Sequence, residues 1–319
     1  MKLHFAETQD KVSSDRFLGY TYENMQNDLG IFARIFPETI QIDSMGRTED
    51  NRELYHFRIG SANAPKKVLI FGGIHGREYM TSQLLMEQTT EFLMKLCRTK
   101  CKEYEKIMEG KAIHIVPMAN PDGVTISQMG AMGIKNPDLK SMVEEIALRE
   151  GGRHPQGNYF NRWKANAKGV DLNRNFDALW ENCEDAVQQP SRECYKGPNP
   201  ESETESRALA ELTRQEGFLR TISYHSSGAV IYWDFYQEGE LRLNTWKFAK
   251  AMGEITGYEV QGRNGEQSPG GYKDWALLKM GIPSLTIEIG RLESPLPASC
   301  FGEIFMENRG VWEEALAGL

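Results

Sequence analysis

The order of segments along this chain predicts an α/β sandwich, a largely parallel or mixed sheet with helices on both faces. Short apolar, β-branched runs alternate with longer amphipathic stretches through the 319 residues, the pattern of strands and crossover helices. Several runs are apolar without alternation, such as Val68-Leu69-Ile70-Phe71, which is how a strand buried on both faces reads. No composition break, linker or internal repeat divides the chain, so residues 1–319 are read as a single domain.

Residues 20–36 place Met25, Leu29, Phe32 and Ile35 at helical spacing, and Pro37 stops the helix. Residues 39–42 and 54–59 read as strands joined by a turn-rich segment, a hairpin at a sheet edge. Residues 68–74 form a buried strand that runs through Gly72-Gly73 into His75-Gly76-Arg77-Glu78, and residues 81–96 form an amphipathic helix. Residues 113–118 are a second buried strand, and Asn120-Pro121-Asp122-Gly123 behind it reads as a turn. Residues 124–169 are punctuated by Gly and Asn, with one helix at 137–149; so long a stretch in a compact domain is usually functional. Residues 201–215 are helical, with acidic residues in the first turn where the helix dipole favours them. A strand at 221–224 enters His225, and a further strand covers 230–233. Helices at 241–256 and 272–280 precede a last buried strand at 284–289, which carries Glu288 near its end. A final helix covers 304–316.

Composition narrows the function. The chain is 40% hydrophobic and 26% charged with a net charge of −8, ordinary for a globular domain. No basic stripe supports nucleic-acid binding. No run approaches the length of a membrane span, and the N-terminus has no apolar signal-peptide core, so a cytoplasmic location is expected. The five cysteines, Cys97, Cys101, Cys183, Cys194 and Cys300, are odd in number and scattered, which favours free thiols in a reducing compartment. Cys183 and Cys194 flank a loop, and their pairing stays open.

Three strand ends carry unusual polar groups: His75 with Glu78, then His225, then Glu288. Ligands of open α/β sheets bind outside the carboxyl ends of strands, and buried ionisable groups are costly unless paired or bound to metal. Taken singly, each has a bland explanation: a solvated loop pair, a satisfied core histidine, a buried salt bridge. Together they supply two His and one Glu as ligands with one carboxylate to spare, the donor set of metal-assisted hydrolysis. In Gly169-Val170-Asp171-Leu172-Asn173-Arg174-Asn175-Phe176, Asp171 could orient a metal-bound His, and Asn173 with Arg174 offers a planar donor set for a carboxylate. The same segment would also serve as a simple capped turn.

In chain order, these blocks resemble the zinc metallocarboxypeptidase family related to carboxypeptidase A. The matching residues are His75-x-x-Glu78, Asn120-Pro121-Asp122-Gly123, the Gly169–Phe176 block, His225-Ser226, Gly270-Gly271-x-x-Asp274-Trp275 and Thr286-x-Glu288. The resemblance spans about residues 18–316. It implies a three-layer α/β/α domain with a mixed, about eight-stranded sheet and one zinc ion. It makes His75, Glu78 and His225 the zinc ligands and Asp171 the residue behind His75. Glu288 becomes the general base toward the attacking water, Asn173 and Arg174 the grip on the leaving residue's carboxylate, and Arg77 a wall of the subsites beyond the scissile bond.

Three positions depart from the family pattern. Lys164 follows Trp163 where the family has an arginine that stabilises the oxyanion; Lys164 or the nearby Arg162 takes that role. Glu266 stands where digestive members carry a mobile tyrosine. Lys273, just before Asp274, occupies the position that sets side-chain preference, and a cation there favours an acidic group on the leaving residue. The wording around Trp163-Lys164-Ala165-Asn166 is similar to a bacterial branch containing γ-D-glutamyl-L-diamino acid peptidases. The expected substrate is therefore a peptidoglycan-derived peptide with a free carboxylate, cut between γ-D-Glu and the diamino acid. The alternatives are an ordinary carboxypeptidase that prefers acidic residues, a small-molecule deacylase, or a zinc-bearing peptide binder without turnover.

Overall fold

The computed structural model describes residues 19–97, 102–152, 159–183, 187–262 and 269–319. Eight strands form one sheet: β1 (Ile40–Arg47), β2 (Glu53–Gly60), β3 (Lys66–Phe71), β4 (Lys111–Val116), β5 (Arg220–Ser226), β6 (Val230–Tyr232), β7 (Glu259–Gln261) and β8 (Ser284–Ile289). Their order is β1-β2-β4-β3-β5-β8-β6-β7. The central strands β4, β3, β5 and β8 run parallel. The β1–β2 hairpin adds to β4 antiparallel, and β6 adds to β8 antiparallel. The sheet is mixed, as expected, and the carboxyl ends of β3, β5 and β8 lie side by side.

Ten helices accompany the strands among the described residues: α1 (Tyr22–Ile35), α2 (Met80–Leu96), α3 (Lys102–Met108), α4 (Pro121–Met129), α5 (Pro137–Arg149), α6 (Thr204–Glu216), α7 (Gly239–Thr256), α8 (Tyr272–Leu278), α9 (Phe301–Glu307) and α10 (Val311–Leu316). Both faces of the central strands are buried. Val68, Ile70, Ile113 and Ile115 pack with residues of α1, α2, α7, α9 and α10. Their strand neighbours Leu69, Phe71 and Val116 pack with α6 and α8. This alternation of partners explains why β3 reads as a continuous apolar run. No helix among the described residues is long and apolar enough to cross a membrane.

Several expectations need correction. Asn120-Pro121-Asp122-Gly123 is not a free turn. The Asn120 side chain accepts from Gly123 N, and Pro121 opens α4; the residues that make turns also cap helices. The expected final helix at 304–316 is two helices, broken where Gly310 takes φ +99°. Strand β7 was not anticipated. Cys183 and Cys194 are free thiols, in line with the expectation for scattered cysteines, and Cys101 and Glu266 lie outside the described residues.

Among the buried polar contacts away from the strand ends is a pair of histidines. His56 Nε2 and His114 Nδ1 are 3.0 Å apart between β2 and β4, with the rings stacked. Burial pushes His56 down to about 4 and His114 down to about 3. Both are neutral in the fold near pH 7 and would gain a proton on unfolding below about pH 6.5. Their effect on stability is therefore absent above that value and grows as pH falls from 6.5 toward the folded values. Urea unfolding at pH 7 and pH 5 checks this. The wild-type chain should lose more stability across that interval than a His56→Phe/His114→Phe double variant, and equal losses would refute it.

Candidate metal centre

The strand ends build the site. β3 runs through Gly72-Gly73-Ile74 to His75, which precedes a tight turn at Gly76–Glu78. His225 and Glu288 are each next to last in β5 and β8, and they are register partners. Parallel pairing thus puts an imidazole and a carboxylate side by side on one face of the sheet.

Two imidazoles and a carboxylate converge from these elements. His75 Nδ1 lies 2.9 Å from Glu78 Oε1, and His225 Nδ1 lies 3.1 Å from Glu78 Oε2. The two Nδ1 atoms are 3.2 Å apart. His75, Glu78 and His225 are 5%, 3% and 1% exposed, too little for water to pay for their charge. On its other side, His75 Nε2 lies 3.2 Å from Asp171 Oδ1. A carboxylate only accepts, so Asp171 places the His75 proton on Nε2 and leaves a lone pair on Nδ1. That lone pair then faces the Glu78 carboxylate, two acceptors that need a cation between them.

The spacing suits zinc. Bonds of about 2.0–2.1 Å in a tetrahedron put donor atoms roughly 3.3 Å apart, close to the separations in this trio. Among the described residues it is the one group of three or more candidate ligands that converges in this way. His225 Nε2 is buried without a partner, so its polar contacts all lie on the Nδ1 side.

Electrostatics follow from the same contacts. Where a proton rather than a metal ion sits on His75 Nδ1, burial pushes the Glu78 carboxyl up, but the His75 charge and hydrogen bonds from His225 and His75 outweigh it and hold it well below the usual range. Burial opposes the proton on His75 too, yet Glu78 and Asp171 raise it. His225 is lowered, because burial outweighs its bond to Glu78. Glu288 is raised, first by burial and then by the nearby Glu78 carboxylate. Glu78 is thus held ionised, as a metal-binding carboxylate must be, while Glu288 is pushed toward its protonated form.

A cavity of about 210 Å³ opens onto the cluster, and His75, His225, Glu288, Lys164, Asn173 and Arg174 line it. Asn173 Oδ1 accepts from Tyr272 N at 3.1 Å, which leaves its NH2 for a ligand. The Arg174 guanidinium is steadied by Asp171 Oδ2 at 3.7 Å and by Cys183 Sγ at 3.2 Å. Of the two cations weighed for the oxyanion, only Lys164 reaches the cavity; Arg162 pairs with Glu293 at 2.7 Å on the surface. Arg77 also lies outside the cavity lining, 3.6 Å from Glu193. Lys273 lines the cavity, but it is no lone cation: its ammonium is bonded to the adjacent Asp274. Tyr272 and Tyr258 are buried and hydrogen-bonded to Thr213 and Glu307, so neither is a mobile clamp.

Gly271, Asp274 and Thr286 also line the cavity, beyond the residues to which the sequence assigns a role. Thr286 was legible in principle. It stands two residues before Glu288 on a strand, so both point to one face.

A family model described as zinc carboxypeptidase matches residues 25–310 of the chain. Gamma-D-glutamyl-L-diamino acid endopeptidase 1 of Lysinibacillus sphaericus is 31% identical over 306 residues, 94% of this chain and 72% of its own length. Two solved structures share the fold. Thrombin activatable fibrinolysis inhibitor gives a TM-score of 0.71 at 21% identity, covering 96% of this chain and 76% of that one. Carboxypeptidase A from Helicoverpa armigera gives 0.69 at 18% identity, covering 99% and 81%.

Removing the Asp171 carboxylate should loosen the ion without dismantling the trio. Asp171→Asn is expected to weaken zinc binding by about 10- to 100-fold, measured by competition with a chelator. Affinity equal to the wild type would show that Asp171 does not orient His75.

Proposed function

The chain belongs to the zinc carboxypeptidase family, and on that premise we propose that it hydrolyses peptidoglycan-derived peptides between γ-D-Glu and a diamino acid, as one catalytic domain. The observation that carries the reading is the buried convergence of His75, Glu78 and His225 beside Glu288, the register partner of His225. His75 and His225 through Nδ1, and Glu78 through its carboxylate, would hold the ion, with Asp171 fixing the His75 tautomer. Bound there, zinc supplies a Lewis acid that polarises a carbonyl and acidifies water.

The remaining work falls to the chain's own groups. Glu288 accepts a proton from the attacking water as the carbon–oxygen bond forms. It then delivers that proton to the departing nitrogen as the carbon–nitrogen bond breaks, so the carboxylate is regenerated. The Lys164 ammonium, on the cavity wall, balances the negative charge that grows on the carbonyl oxygen. Arg174 and Asn173 hold the free carboxylate of the leaving residue, the guanidinium by two parallel bonds.

Lys273 and Asp274 bear on the choice of leaving residue. An unpaired lysine would favour a plain acidic side chain. A cation bonded to an anion at the cavity wall instead complements a side chain that ends in both an ammonium and a carboxylate, as meso-diaminopimelate does. The name of the Lysinibacillus relative supports the same substrate class.

Two measurements test the reading. Glu288→Gln should lower turnover by about 10²- to 10⁴-fold with one zinc per chain retained; wild-type turnover at full zinc would remove Glu288 from the mechanism. The wild-type chain should also cleave L-Ala-γ-D-Glu-meso-diaminopimelate in preference to dipeptides ending in Glu or Asp, and Lys273→Met should narrow that preference. Cleavage of the acidic dipeptides alone would make the enzyme an ordinary carboxypeptidase.

A further inference from the structure

Asn120 is fully buried, and its amide does more than cap a helix. Its Oδ1 accepts from Gly123 N at 2.9 Å and so starts α4. Its NH2 reaches three main-chain carbonyls, those of Ile74 at 3.0 Å, Lys164 at 3.3 Å and Ala165 at 3.1 Å. Ile74 immediately precedes His75. The Lys164 carbonyl also accepts from Gly76 N, just after His75, at 2.9 Å. One side chain therefore ties the turn that carries His75 to the peptide of the lysine that lines the cavity.

The contact is as close as main chains allow. A Cβ on Gly76 would sit 2.3 Å from the Gly123 carbonyl oxygen and 2.8 Å from that of Trp163. A Cβ on Gly123 would sit 2.3 Å from the Ala165 carbonyl oxygen. The helix that carries Asn120 is itself held in place. Asp122 accepts from Thr48 Oγ1 at 2.9 Å, Asp50 N at 3.1 Å and Arg52 Nη1 at 2.8 Å.

Residue chemistry separates the two jobs of Asn120. Capping needs only an acceptor, and Ser, Thr or Asp would supply it. The three carbonyls need a donor as well, and of the good capping side chains Asn alone offers an acceptor with an NH2 pair. We propose that Asn120 is a positioning residue for Lys164, holding the lysine main chain against the His75 turn so that the ammonium is set where the oxyanion forms. The proposal rests on the reading of Lys164 given above. Lysine is a long, flexible side chain, so fixing its origin limits the arc of its charge, and a charge already in place needs no rearrangement during the reaction. The oxyanion exists only in the transition state, so the effect belongs in kcat rather than KM.

A double-mutant cycle tests this, with kcat and KM measured on whichever peptide the wild-type chain hydrolyses fastest and zinc content checked for each protein. Asn120→Ser keeps the cap and removes the donors. It should lower kcat by about 10- to 100-fold and change KM by no more than about twofold. Combined with Lys164→Ala, it should be no slower than Lys164→Ala alone within about twofold, because both act through one charge. Losses that multiply in the double variant, a loss carried by KM, or wild-type kcat in Asn120→Ser would each overturn the proposal. If Asn120→Ser does not fold, Asn120→Asp, also a good cap, takes its place; failure of both to fold with zinc bound makes Asn120 structural and ends the idea. Wild-type kcat in Lys164→Ala would remove the lysine's role while leaving the Glu288 mechanism standing, so the two readings fail separately.

Discussion

Two imidazole nitrogens 3.2 Å apart, each about 3 Å from one carboxylate and all shielded from water, are the constraint to which the rest of the structure answers. In a low-dielectric interior such a cluster is stable only around shared positive charge. Asp171 sharpens the demand by taking the His75 proton onto Nε2, so a bare lone pair points inward. The parallel arrangement of β3, β5 and β8 makes the cluster possible. It brings the carboxyl ends of three adjacent central strands together, and helices on both faces exclude water from the strands behind them.

Around this centre the structure spends its glycines on close approach. Gly76 and Gly123 let the His75 turn, the start of α4 and the segment after Trp163 touch through their main chains. Trp163 is fully buried and anchors that segment from behind. The long stretch between β4 and α6 is therefore part of the site's frame. It brings Lys164, Asp171, Asn173 and Arg174 to the cavity wall.

The cations that line the cavity are paired with carboxylates, with one exception among the described residues. Arg174 leans on Asp171 and Lys273 on Asp274, whereas Lys164 has no carboxylate within ion-pair distance. Paired charges suit recognition of a ligand that brings its own complementary groups. An unpaired ammonium suits charge that appears only during the reaction. Lys273 and Lys164 therefore differ in environment although both are lysines on one cavity.

What the sequence alone determined is the set of polar residues that converge at the strand ends and the layout that holds them. Alternating strands and helices, with His75, Glu78, His225 and Glu288 at strand ends, are local patterns of residue type and spacing, and they survive folding unchanged. Local pattern is ambiguous at Asn120-Pro121-Asp122-Gly123, where one chemistry serves a turn or a helix cap, and at Gly310, where the apolar periodicity runs on through a helix break. Only the tertiary structure decided that Lys164 faces the cavity while Arg162 turns to Glu293, that Lys273 is neutralised by Asp274, and that Asn120 reaches Lys164. The physical reason is separation along the chain. His75 meets Asp171 across 96 positions and His225 across 150, and such distances are set by how layers pack, not by which residues stand next to one another.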